Sequence, residues 1–160
     1  TWTWHPKPLN TAVANSALTI ATSMGMDVTP MGPTPEYILE ERYMGWAAQN
    51  VEENGGSLTV SHDTDSAYAG ADVIYAKSWG ALPYFGNWEP EKPIRDQYKH
   101  FIVDERKMAL TNNGVFSHCL PLRRNIKATD AVMDSPQCIA INEAENRLHV
   151  QKAVMAALVA

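Results

Sequence analysis

Short apolar runs rich in Val and Ile recur along the chain, separated by longer stretches in which apolar residues return every three or four positions. A run such as Asp72-Val73-Ile74-Tyr75-Ala76 is apolar at successive positions, which suits a strand covered on both faces. The pattern predicts strands near 1–4, 26–29, 57–61, 72–76, 114–118 and 138–141. It predicts helices near 9–24, 36–52, 64–69, 91–101, 104–110, 128–134 and 142–158. Alternation of this kind is that of βαβ units, so the chain reads as α/β with a mainly parallel central sheet flanked by helices. Glu36, Glu40 and Glu41 open the second helix, and Gly25 and Asn54-Gly55-Gly56 close the first two, in keeping with the charge and stop preferences of helix ends.

One segment breaks the rhythm. Residues 78–90 join a strand to a helix and carry Trp79, Tyr84, Phe85 and Trp88. Compact α/β connections usually take about 2–6 residues, so this loop either covers a substrate or packs on its own aromatics.

In open α/β sheets, ligands bind beyond the carboxyl ends of the strands. There the chain places His118-Cys119-Leu120-Pro121-Leu122-Arg123-Arg124, following the strand at 114–118. Lys77 follows the strand at 72–76, His5 and Asn10 follow the first, and Arg147 falls in the first turns of the last helix. Each has a plain alternative. Lys77 is also a solvated strand end, Asn10 a helix N-cap, and Arg147 a partner for Glu143 four residues before it. Cys119 as a nucleophile would need a base, yet adjacent residues of a strand point to opposite sides, which turns His118 away. The junctions at 4–10 and 76–86 lack the GxGxxG turn of dinucleotide binding.

Composition narrows the classes further. With 160 residues, 45% hydrophobic and 19% charged, the chain has the makeup of one ordinary globular domain. A net charge of −5, with Lys and Arg free of nearby acids only at Arg123-Arg124 and Lys127, argues against a nucleic-acid partner. Two cysteines, Cys119 and Cys138, are too few for a disulfide framework and fit a reducing cytoplasm. No apolar run approaches the roughly 18 residues of a membrane span, and nothing resembles a signal peptide, so no membrane partner is expected. The alternating β-formers Thr1-Trp2-Thr3-Trp4 look like a strand already under way, and the chain is expected to be part of something longer.

His118-Cys119-Leu120-Pro121 resembles the HCLP signature of the transcarbamylases. The continuation from Leu122 to Asp130, the run Asn142-Glu143-Ala144-Glu145-Asn146-Arg147, residues 5–10, 77–79 and 85–90 resemble the branch of that family that uses N-acetylornithine. The likeness spans essentially the whole chain. It implies a three-layer, Rossmann-like α/β domain and transfer of a carbamoyl group from carbamoyl phosphate to the side-chain amine of N-acetylornithine, with N-succinylornithine as the alternative acceptor and a non-catalytic ligand-binding module as the alternative role. It further implies Cys119 and Leu120 at the carbamoyl group, Arg147 on carbamoyl phosphate, Lys77 on the acetylornithine carboxylate, Leu120, Asn10 and Arg123 in that pocket, and Lys127 as a carboxylated lysine. No metal or other cofactor is implied, and the full-length relatives are expected to be homotrimers.

The same resemblance makes an absence informative. The family's Ser-x-Arg-Thr phosphate loop and HPxQ motif do not occur; His5-Pro6-Lys7-Pro8 lacks the Gln, and Ser23-Met24-Gly25 stands at a helix end where the ornithine-type loop is not expected. The chain thus resembles only the amino-acid-binding half, 1–160 as a single domain without the carbamoyl-phosphate domain, and is expected to be inactive alone. Val150, Ala153, Val154, Ala157 and Leu158 give the last helix an apolar face expected to bury surface by docking against the absent half.

Overall fold

A computed structural model describes residues 1–159. Its sheet is built from short parallel ladders: β1 (Asp27–Val28) pairs with β2 (Ser57–Leu58), and β3 (Val73–Tyr75) pairs with β4 (Val115–Ser117). Parallel bridges from Met31 to Ser61, Trp2 to Lys77 and Phe116 to Cys138 extend and join them. The Trp2 N–H closes the remaining gap by donating to the Met31 carbonyl at 2.8 Å. Across the sheet the segments run 57–61, 27–31, 1–3, 73–77, 115–117 and 138, which in chain order is 3-2-1-4-5-6. This is the doubly wound order, whose winding reverses between the first and fourth segments and opens a crevice beyond their carboxyl ends. His5 and Lys77 flank that reversal.

The helices are α1 (Ala12–Ser23), α2 (Glu41–Asn54), α3 (Thr64–Tyr68), α4 (Lys92–Arg95), α5 (Glu105–Met108), α6 (Asp130–Met133) and α7 (Ala140–Val159). α1 packs on α2, while α3 packs on α5 and α5 on α6. The right-handed course of parallel crossovers puts these two groups on opposite faces of the sheet. Between them, Trp2 meets Tyr37 and Phe101 edge-on, with ring centroids 5.0 and 5.7 Å away, and Tyr98 completes the cluster. The indole N–H of Trp2 donates to the Trp79 carbonyl at 2.8 Å, and that of Trp79 to the Tyr37 carbonyl at 3.0 Å, so neither of these two indoles buries an unpaired donor.

Several boundaries differ from the sequence pattern for identifiable reasons. In the expected strand at 138–141 only Cys138 bridges the sheet, and the helix begins at Ala140, where Glu143 is drawn toward the strand ends. The expected helix at 91–101 stops at Arg95 and tightens to a 3-10 turn at Asp96–Tyr98, because Tyr98 and Phe101 turn inward to the Trp2 cluster. The expected helix at 36–52 is a 3-10 turn at Pro35–Tyr37, an extended break, and then α2. Within this chain the apolar face of α7 is uncovered, with Val150, Val154 and Leu158 61%, 53% and 79% exposed. Among the described residues no helix is long and apolar enough to cross a membrane.

Candidate functional site

The walls of the crevice are held by a buried ion pair. Glu91, immediately before α4, and Arg95 at its end form a salt bridge at 0% and 2% exposure. Glu91 Oε1 also accepts from the Tyr37 hydroxyl at 3.0 Å and the Ala81 N–H at 3.3 Å, while Arg95 Nη2 donates to the Pro6 carbonyl at 3.2 Å. The Gly80 N–H donates to the Leu9 carbonyl at 3.0 Å. A Cβ at Gly80 would lie 2.4 Å from the Trp88 ring and 2.8 Å from Pro8, so only glycine permits this closeness. Together these bonds tie the segment after the first strand to the segment after β3, and Trp88 packs the 78–90 loop onto their junction.

Within those walls lies a cluster of cations. Lys77 Nζ is 3.6 Å from Cys119 Sγ, the contact of two residues at adjacent strand ends. Beside them His118 is fully buried; its Nδ1 accepts the Leu120 N–H at 2.9 Å, and its Nε2 lies 3.5 Å from Lys127 Nζ. A neutral imidazole carries one proton, and the Leu120 bond places it on Nε2. Lys127 can then accept from that N–H only as a free amine, since an ammonium has no lone pair. Burial first, then the charge of Lys77, holds Lys127 down to about 8, with Cys119 pulling it up and Arg123 pushing it down, so at pH 7 the ammonium predominates and the free amine is a readily reached minor form. Burial, followed by Lys127 and Lys77, holds His118 down to about 3. His5 is also lowered, by burial and then by Lys127, Arg123 and Arg95, against a hydrogen bond to the Lys7 carbonyl that favours the protonated ring. No carboxylate is among the charges acting on these three groups.

The turn that carries these residues is set by its own backbone and by surface carboxylates. Leu120 and Asn125 adopt φ of +48° and +58°, in the left-handed region that non-glycine residues seldom occupy. Arg124 is turned outward to Asp130 and Asp134, and Asn125 Nδ2 donates to Asp130 at 2.7 Å. Anchoring the outer side leaves Lys127 on the inner side.

Of the residues singled out from sequence, the structure gathers Lys77, Cys119, Leu120 and Lys127, with exposed Arg123 near enough for its charge to act on Lys127 and His5. Asn10 is exposed one residue before Thr11, the N-cap of α1, its Oδ1 accepting the Ala12 N–H at 3.2 Å. Arg147 is exposed on α7, and Glu143 is not its partner. Instead Glu143 accepts from the Ser117 hydroxyl and, at 3.3 Å, from the Tyr75 hydroxyl. Burial, then Cys119 and Glu143, raise the Tyr75 phenol well above its ordinary range. This Tyr75–Ser117–Glu143 group was not singled out from sequence. The available signal was the two-residue spacing of Tyr75 from Lys77, which puts both on one side of a strand. Val73, Tyr75, Lys77 and Glu143 line a groove of about 790 Å³ beside α1.

Comparison with known proteins matches residues 8–158 to the family "Aspartate/ornithine carbamoyltransferase, Asp/Orn binding domain". The chain is 88% identical over 159 residues to the N-acetylornithine carbamoyltransferase of Xanthomonas campestris pv. campestris, covering 99% of this chain and 47% of that protein. It is 39% identical over 150 residues to the ornithine carbamoyltransferase of Pyrococcus abyssi, covering 91% of this chain and 45% of the relative. A crystal structure of an acetylornithine transcarbamylase complexed with acetylcitrulline superposes with a TM-score of 0.97 at 88% identity, covering 98% of this chain and 47% of that one. The chain therefore spans about half the length of the relatives it matches.

Proposed function

The chain belongs to the aspartate/ornithine carbamoyltransferase family, as its Asp/Orn binding domain, and we propose that it is the amino-acid-binding half of an enzyme that carbamoylates N-acetylornithine. In that reaction the side-chain amine attacks the carbamoyl carbon of carbamoyl phosphate. A C–N bond forms, the bond from carbon to the phosphate oxygen breaks, and phosphate leaves while the amine gives up a proton. The observation that carries the reading is the cluster of Lys77, Lys127 and Arg123 around Cys119, in a chain that aligns end to end with half of an N-acetylornithine carbamoyltransferase.

On this reading Lys77 pairs with the acetylornithine carboxylate, with Arg123 and Asn10 at the pocket's rim. Leu120 spends its N–H on His118, so its carbonyl is the backbone group left to accept from the carbamoyl NH2. Cys119 lies against the same carbamoyl group, and Arg147 contacts carbamoyl phosphate. The free-amine form of Lys127 is the form that adds CO2 to give a carbamate, consistent with carboxylation at this position. Polar groups placed around the carbamoyl oxygen, worth about 2.7–4 kcal/mol each in comparable sites, together with alignment of two substrates, supply the acceleration. The phosphate-binding residues belong to a carbamoyl-phosphate domain beyond this chain, the full-length enzyme is a cytoplasmic homotrimer, and the 160 residues alone do not turn over. Purified chain is assayed for acetylcitrulline formation with and without a relative's carbamoyl-phosphate half, using N-succinylornithine as the competing acceptor. Turnover by the chain alone, or preference for the succinyl substrate in the reconstituted enzyme, would overturn the proposal.

A further inference from the structure

The 20-residue helix α7 is held to the rest of the chain in an unusual way. Its buried residue is Ala140 at the first position, and Leu148, Val150, Val154 and Leu158 beyond it are exposed. Among the described residues, the side-chain hydrogen bonds that reach from α7 to other elements both end on Glu143, from Ser117 of β4 and Tyr75 of β3. The other recorded ion pair on the helix, His149 with Glu145, stays within it. Among the described residues, the contacts that set the direction of α7 are therefore those of its first turn. Four residues of α-helix rise about 6 Å, so a tilt of about 15° at Glu143 displaces the backbone at Arg147 by roughly 1.5 Å, and its guanidinium by more.

We infer that Glu143 is a positioning residue: its carboxylate, held by the Ser117 and Tyr75 hydroxyls, fixes the first turn of α7 on the ends of β3 and β4 and thereby fixes where Arg147 stands relative to Cys119. Residues four apart lie on the same helix face, so Arg147 projects from the side of α7 that Glu143 turns toward the sheet. Tyr75 lies two residues before Lys77 on the same strand side, and its phenol feels Cys119 as well as Glu143. The meaning given to Arg147 and Cys119 rests on the proposed function; the fastening of α7 does not.

Two measurements test this. In the full-length enzyme carrying this chain, Glu143→Ala raises the KM for carbamoyl phosphate by about tenfold or more, since displacements near 1 Å can cost about 100-fold. It leaves the KM for N-acetylornithine within about twofold, and Glu143→Gln, which keeps a hydrogen-bonding group for each hydroxyl, recovers most of the loss. Equal rises in both KM values, or none, overturn the inference. In the 160-residue chain, spin labels at Ser16 and Gln151, attached through a noncanonical ketone side chain that leaves Cys119 untouched, read the fastening directly. The distance distribution is narrow in the native chain and in Glu143→Gln and broad in Glu143→Ala. An unchanged distribution overturns the inference whatever the substrate, whereas broadening without native turnover on N-acetylornithine overturns only the proposed function.

Discussion

Glu91 and Arg95 are buried as a pair; Lys127 and His118, a short way across the same crevice, are buried without an acid between them. The first arrangement neutralises itself inside the chain and hydrogen-bonds Tyr37, Ala81 and Pro6, which are parts of the scaffold, leaving Arg95 Nε without a partner. The second holds His118 neutral, lowers Lys127 to about 8 and gathers further positive charge from Lys77 and Arg123. Taking charge out of water costs several kcal/mol per ion unless a partner offsets it. A pair that offsets the cost serves the fold. A cluster that leaves the cost standing serves chemistry, because the same conditions that destabilise it hold a lysine amine near neutrality and keep a field that attracts anions.

The contrast predicts opposite responses to substitution, and the largest belongs to the pair. Arg95→Ala or Glu91→Ala strands a buried charge and lowers stability by about 3–5 kcal/mol in urea denaturation; a loss below about 1 kcal/mol would erase the distinction. Next is the pH response of His118. Its folded value of about 3 lies below the unfolded 6.5, so the unfolded chain binds the extra proton between them and stability falls as pH drops through that window. The expected loss is a few kcal/mol, and His118→Gln flattens that part of the stability profile.

Lys127→Met should act in the opposite direction to Arg95→Ala. Replacing a buried cation without an acidic partner by an apolar chain of similar length is neutral or stabilises, by about 1–2 kcal/mol at pH 7. With a folded value of about 8 against 10.5, Lys127 makes stability rise as pH increases between those values, and the substitution removes that rise. A clear destabilisation by Lys127→Met would show a hidden partner. The smallest effect is that of Asn10→Ala, which loses the bond to the Ala12 N–H and costs about 1 kcal/mol or less. A much larger fall in N-acetylornithine affinity than in stability would move Asn10 from the scaffold to the site.

Much of this was legible one residue at a time. The strand positions around 73–75 and 115–117 follow from local apolar runs, and the rule that sites lie beyond carboxyl ends was enough to bring Lys77 and Cys119 together. The role of Glu143 was not legible, because the local rule for a helical carboxylate looks to residues three or four away and offers only Arg147. Its actual partners lie 68 and 26 residues away in the chain. Glu91 and Arg95 look equally ordinary, charges on a short Pro-flanked helix that usually face water, until Tyr37 and Pro6 close over them.

The sequence by itself determined the α/β class, the edge at which the reactive residues collect, and the family likeness carried by residues 118–130 and 142–147. These depend on periodicity and on short runs, which any stretch of chain displays on its own. Only the tertiary structure decided which charges are buried with a partner and which without, on which nitrogen His118 carries its proton, and what Glu143 holds. Desolvation and hydrogen-bond partnership are properties of what surrounds a group, and here the surroundings come from segments that meet only when the sheet is assembled in its 3-2-1-4-5-6 order.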